Sequence, residues 1–146
     1  MAKKAIQKKF IVTSISTKPA KKIRYLKKVK YIFCDISNKT QLKKVIKKPF
    51  DYVVNLGGYV DHTNKKKTHK SHYNGCKNLA DIFLHNPPII FLQIGSCVEY
   101  GFKKSPQNES FKCNIQSNKS TYGKAKLLAS RYLIDLYKKK NSLLQF

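Results

Sequence analysis

Long apolar runs are missing from this 146-residue chain. None approaches the ~20 residues that a membrane-crossing helix needs. Residues 1–10 (MAKKAIQKKF) carry charge without a continuous apolar stretch, so they do not read as a signal peptide. The expectation is a cytoplasmic protein with no membrane partner. Cysteine pairs at metal-site spacing are also missing: Cys34, Cys76, Cys97 and Cys113 form no Cys-x-x-Cys motif. A hydrophobic fraction of 41% makes a disulfide framework unnecessary. Acidic residues are scarce, 7 against 31 Lys and Arg, leaving a net charge of +24. Such an excess suits phosphate neutralisation. Yet arginine, which supplies most bidentate contacts, is limited to Arg24 and Arg131. The lysines run from Lys3 to Lys140 instead of forming a stripe, and Lys, Asn and Ile are abundant together, as in a compositional bias. A basic nucleic-acid-binding module is an alternative that this distribution disfavours. His69, His72 and Cys76, at i, i+3 and i+7 with His62 upstream, have a spacing that metal ligands can use. No second cluster of matching type accompanies them, and no metal is expected.

What is present alternates strands with helices, in a length that suits one domain. Residues 9–14 (KFIVTS), 30–35 (KYIFCD), 50–56 (FDYVVNL) and 89–95 (IIFLQIG) read as strands, the last a nearly continuous apolar run expected to be buried on both faces. Helices are predicted over 38–47, 64–85 and 120–140. Tyr73, Cys76, Ala80 and Phe83 form the buried stripe of the second, and Pro87-Pro88 stops it. Ala125, Leu128, Ala129, Tyr132 and Leu136 form that of the third, with Ser120 or Thr121 as N-cap. Residues 1–10 resemble the tail of an amphipathic helix, 103–119 a loop, and 141–145 the start of a further strand. The pattern implies an α/β fold, a parallel sheet with right-handed crossovers.

Within it, Tyr122 and Lys126 lie at i and i+4 on one helix face. A free phenol, with a pKa near ~10, is a poor base at neutral pH. An ammonium beside it favours the phenolate, and such a pair can exchange a proton with a substrate hydroxyl. Ser96 follows the last strand, at the edge where open parallel sheets place their ligands; its hydroxyl could orient a substrate oxygen, the alternative being an ordinary turn residue or helix cap.

Six segments in order resemble the extended short-chain dehydrogenase/reductases, in particular the NAD-dependent epimerase/dehydratase group: Cys34-Asp35-Ile36; Asp51–Gly58 (DYVVNLGG); Gly75–Leu79 (GCKNL); Gly95–Gly101 (GSCVEYG); Pro106 with Glu109; and Tyr122 with Lys126. The resemblance implies a Rossmann-like parallel sheet with flanking helices and a nucleotide-sugar epimerase, dehydratase or reductase using NAD or NADP. It implies that Tyr122 is the acid/base, that Lys126 lowers its pKa and holds the nicotinamide ribose, and that Ser96 orients the substrate hydroxyl. Asp35, Ile36, Leu56, Gly57, Gly58 and His72 would line the cofactor, hydride transfer belonging to the nicotinamide itself. A homodimer through the helices of 64–85 and 120–140 is the family's habit.

The departures are specific. The family's first strand and its Gly-x-x-Gly-x-x-Gly turn, which cradles the pyrophosphate, have no counterpart here. Nor does its C-terminal substrate region, so residues 1–146 are expected to be one incomplete domain. A truncated remnant with little cofactor affinity is the alternative. His72 stands where the family usually has Asn. Ser16, Thr17 and Lys18 stand where an acidic residue would hold a ribose 2′-hydroxyl, a surface suited to the 2′-phosphate of NADP.

Overall fold

A computed structural model describes residues 1–102 and 106–143 of the chain. Its elements follow the expected alternation: α1 (Ala2–Gln7), β1 (Val12–Ser16), β2 (Val29–Phe33), α2 (Lys39–Val45), β3 (Tyr52–Asn55), α3 (Lys65–His69), a π-helical turn (Lys70–Asn74), α4 (Gly75–Ile82), β4 (Ile90–Gln93) and α5 (Thr121–Leu143). The polar side chains that start helices are where the sequence puts them. Asn38 Oδ1 accepts from the Gln41 N–H at 3.0 Å, Asn64 Oδ1 from that of Lys67 at 3.0 Å, and Ser120 Oγ from that of Gly123 at 3.2 Å. The strand expected from residue 141 is not formed at 141–143, which continue α5; the rest of it, and 103–105 of the expected loop, lie outside the described residues. None of the described helices is long and apolar enough to cross a membrane.

The single expected sheet is divided. β1 pairs in parallel with β2, and β3 with β4, but no ladder joins β1 to β3. Both halves nevertheless rest on one helical layer. Ile15, Ile32, Val53 and Phe91, one from each strand, pack on the core of Cys34, Leu42, Leu79 and Phe83. At the N-terminal ends, the rings of Phe10 and Tyr52 meet edge to face, 5.5 Å apart. In doubly wound sheets with strand order 3-2-1-4-5, strands 3-2 and 4-5 flank the first strand. The pairs β2-β1 and β3-β4 have the arrangement of those flanks, and among the described residues no strand pairs with β1 or β3 on their other sides. This division also corrects the reading of residues 89–95 as buried on both faces. Phe91 faces the core, while Ile90 and Leu92 are 52% and 43% exposed, because the core helices cover one side only.

The second correction concerns the helix over 64–85. It is interrupted by the π turn at Lys70–Asn74 and ends at Ile82. A π turn inserts a residue and shifts the phase of the buried face. His72 is buried there, and Tyr73, expected in the stripe, is only half-buried. In α5 the stripe likewise gains Leu127 and Lys126, both 5% exposed, while Leu128 is half-buried.

Candidate active site

The site is assembled where the loops after β2, β3 and β4 meet the first turns of α5. After β2, Asp35 closes its own turn: Oδ1 accepts from the Ser37 N–H at 2.9 Å and the Ser37 hydroxyl at 2.6 Å. The turn projects Ile36 toward two glycines. A Cβ on Gly57 would stand 3.3 Å from Ile36 Cδ1, and one on Gly75 2.9 Å from Ile36 Cγ1. Asn78 Nδ2 donates to the carbonyls of Ile36 and Ser37 at 3.2 and 3.0 Å, tying this turn to α4. Asp35, Ile36 and Gly57, expected to act together, are therefore neighbours in space. Leu56 is 61% exposed at the same edge.

After β3, Asn55 is buried; its Nδ2 donates to Gln93 Oε1 at 2.7 Å and its Oδ1 accepts from the Gly57 N–H at 3.0 Å. The chain then presses against the π turn. His72 Nε2 is 3.2 Å from the Tyr59 carbonyl, which assigns the proton to Nε2 and leaves Nδ1 as an acceptor. That Nδ1 is buried without a partner among the described residues. Burial holds the His72 imidazole below its ordinary pKa; the Tyr59 carbonyl opposes this, and the charges of Lys126 and His62 add to it. Beneath it, burial pushes the Cys76 thiol up to about 11, despite the opposing charge of Lys126 and a hydrogen bond with Asn55.

Tyr122 and Lys126 occupy one face of α5 as the spacing predicts. The Lys126 ammonium is 6.0 Å from the centroid of the Tyr122 ring. Lys126 is only 5% exposed and donates to the Ile94 carbonyl at the end of β4. The Tyr122 ring touches two imidazoles. His62 stacks on it with centroids 4.3 Å apart, and His72 meets it edge-on at 4.8 Å.

Ser96 follows β4 as expected, but its side chain is occupied as a helix cap. Ser96 Oγ accepts from the Val98 N–H at 3.4 Å, and Glu99 Oε1 accepts from the Ser96 N–H at 2.8 Å, a capping box over the 3₁₀ turn Cys97–Tyr100. Among the described residues no hydrogen bond joins Ser96 to Tyr122. The turn is locked onto α5 instead. Glu99 Oε2 accepts from the Ser130 hydroxyl at 2.7 Å, and Asn118 Nδ2 donates to the Val98 carbonyl at 2.7 Å. A Cβ on Gly123 would lie 2.5 Å from Asn118 Nδ2 and 2.8 Å from the Val98 oxygen, so only glycine allows this approach. Glu99, Asn118 and Gly123 were given no role from sequence, and His62 was noted only as lying upstream of the metal-spaced group. The Ser-x-x-Glu pattern at 96–99 was a readable signal for Glu99; the other three depend on contacts distant in sequence. Of the metal-spaced group, His69 packs on Tyr73 at 5.3 Å and His72 on Tyr122, so the two rings have different neighbours. No group of three or more metal-ligating side chains converges among the described residues.

Comparison with known proteins matches the chain to one family. The model of the NAD dependent epimerase/dehydratase family matches residues 1–143. A search of curated proteins finds no match. Among solved structures, the chain resembles the UDP-Glc/GlcNAc 4-epimerase of Campylobacter jejuni at 17% identity and a TM-score of 0.81, over 94% of this chain and 45% of that one. It resembles the UDP-glucose 4-epimerase of Thermotoga maritima, solved with UDP-glucose, at 15% identity and a TM-score of 0.80, over 94% and 46%. The Bordetella bronchiseptica enzyme WbmH, solved with NAD+, follows at 17% and 0.79, over 92% and 47%. The chain thus spans about half the length of these solved relatives.

Proposed function

From one premise, that the chain belongs to the NAD dependent epimerase/dehydratase family, we propose that it serves NAD(P)-dependent epimerisation, dehydration or reduction of a nucleotide sugar. The observation that carries the reading is the double contact of His72. Its ring lies against Gly58, where a Cβ would be 2.0 Å from Cε1, and against Tyr122. It thereby joins the loop assigned to the cofactor to the helix assigned to proton transfer. The residues fit a dinucleotide at this edge: Gly57 and Gly58 present bare backbone, Ile36 and Leu56 offer apolar surface, and His72 Nδ1 is a buried acceptor awaiting a donor.

In this reading Asp35, Ile36, Leu56, Gly57 and Gly58 would line the cofactor, and His72 Nδ1 would accept from one of its hydroxyls. The cofactor, when bound, supplies the hydride chemistry. Tyr122 moves a proton to or from the substrate hydroxyl. Lys126 stabilises the negative charge developing on the phenol oxygen and holds a ribose hydroxyl. Ser96 reaches the substrate by giving up its cap to Val98. Ser16, Thr17 and Lys18, at the exposed end of β1, favour NADP over NAD by hydrogen bonding and charge at a 2′-phosphate. The setting is cytoplasmic, and the active form is a homodimer through the helices of 64–85 and 120–140.

A second reading has an observation of its own. None of the six glycines forms a Gly-x-x-Gly-x-x-Gly turn, and the sheet is open between β1 and β3. Residues 1–146 by themselves lack the backbone N–H cradle and helix terminus that hold a pyrophosphate. They would then bind cofactor weakly or not at all. Titration of the chain with NAD and with NADP, followed by calorimetry, separates the readings. The first expects saturation at millimolar cofactor, tighter for NADP, and its loss on Lys126→Met. No saturable binding by either nucleotide would sink it for this polypeptide.

A further inference from the structure

His62 belongs to none of the six motifs and lies in an exposed loop, yet it makes the most intimate ring contact in the site. Its imidazole is nearly parallel to the Tyr122 ring, 21° between planes and 4.3 Å between centroids. His72 closes the ring edge at 77°, and the two imidazoles are 5.8 Å apart. One imidazole thus covers a face of the phenol ring while the other blocks its edge.

The loop carrying His62 is built to deliver it. Ser71 Oγ accepts from the Tyr59 N–H at 2.9 Å, and the Tyr59 carbonyl accepts from His72 Nε2 at 3.2 Å, so the loop is held to the π turn at both polar groups of one residue. Gly58 permits that approach because no Cβ intervenes. Beyond it, Asp61 Oδ1 accepts from the Thr63 N–H at 3.1 Å and the Thr63 hydroxyl at 2.6 Å, which turns the chain around His62. Tyr122 is the second residue of α5, half-buried, where little of the helix precedes it to restrain its ring. Proton transfer needs a fixed hydroxyl direction, and small misplacements are costly in rate.

We propose that His62 is a positioning residue for Tyr122: stacked on the phenol ring while His72 holds its edge, it fixes the direction in which the hydroxyl points. The proposal rests on the reading of Tyr122 as the proton-transfer residue. What matters at position 62 is then a flat ring, not a titratable nitrogen, so Phe replaces His and Ala does not.

The test uses the full chain with ring-labelled tyrosine, the Tyr122 resonances identified by their loss in Tyr122→Phe. His62→Ala is expected to move and narrow those resonances as the ring is freed, and His62→Phe to keep them displaced. An amide correlation spectrum shows that both variants fold. In turnover of UDP-glucose with NADP and with NAD, His62→Ala is expected to lower kcat about ten- to a hundredfold with KM changed less than about twofold, and His62→Phe to restore it. Tyr122 resonances untouched by His62→Ala, or a His62→Phe variant as impaired as His62→Ala, would overturn the proposal. Absence of turnover in every form, wild type included, would count against the enzyme reading, and the ring resonances would still decide whether His62 holds Tyr122.

Discussion

Gly58 and His72 share one space: a Cβ on Gly58 would lie 2.0 Å from His72 Cε1 and 2.6 Å from Nδ1. Gly58→Ala must therefore displace either the loop after β3 or a ring that is itself buried. We expect a loss of about 1–3 kcal/mol, as for other overpacked sites. By the same displacement the variant should lose any NAD(P) binding of the wild type. Thermal unfolding and cofactor titration of the same preparation check both. An unchanged midpoint would show that the loop yields freely.

His72 should make stability fall on mild acidification. Its folded pKa is depressed, chiefly by burial, whereas in the unfolded chain it titrates near 6.5. Below that pH the unfolded chain binds a proton that the folded chain refuses. The contribution is fully present above 6.5 and is lost as pH falls through the lower folded value. The lowered carboxylates, Asp61 and Asp81, start from 3.8 and act at more acid pH. Urea unfolding at pH 7 and pH 5 should show this loss in the wild type and a flatter response in His72→Asn.

Asp81 ties α2, α4 and α5 together. Lys39 and Lys77 reach its Oδ2 at 2.9 and 3.1 Å, and the Tyr132 hydroxyl donates to its Oδ1. Burial raises its pKa, but the hydrogen bonds from Tyr132, Lys39 and Lys77 outweigh this and hold it at about 2, against an ordinary 3.8. This stabilisation is present above 3.8 and lost as pH falls through about 2. At pH 7 it amounts to about 2 kcal/mol. Asp81→Asn should lower the unfolding midpoint by roughly 3 °C per kcal/mol lost and remove this part of the acid transition.

Lys9 is the described non-glycine residue with positive φ, at 64°. It ends α1 in a Schellman arrangement, with Lys9 N–H donating to the Ile6 carbonyl at 2.9 Å and Phe10 N–H to that of Ala5 at 3.1 Å. An L-residue is strained there, and glycine is not. Lys9→Gly should raise stability by up to about 1 kcal/mol, with Lys9→Val lowering it. Denaturant midpoints for the two variants check the opposite signs.

Much of the site was legible because its signals are local. Asn38 and Ser120 cap helices through backbone groups three residues away, and Tyr122 and Lys126 share a face because i and i+4 always do. Asp35, Gly57 and Gly58 were legible as parts of an ordered set of motifs. Two features were hidden. The π turn depends on one inserted residue that leaves the apolar pattern of 64–85 almost unchanged. The stack of His62 on Tyr122 joins residues 60 apart in sequence. The capped state of Ser96 was legible as the alternative to a substrate contact, and Glu99 three residues on completes it.

Residue order alone therefore determined the alternation of strands and helices, which end of each strand carries the polar side chains, and the pairing of a phenol with an ammonium on one helix face. All of these follow from local periodicity and capping. The tertiary structure decided the rest. It divided the sheet between β1 and β3, because strand pairing joins segments that no local rule connects. It buried Lys126 against the Ile94 carbonyl and His72 against Gly58. It also brought the His62 imidazole onto the Tyr122 ring. Those contacts are set by how the helical layer and the loops pack, and packing is a property of the whole chain.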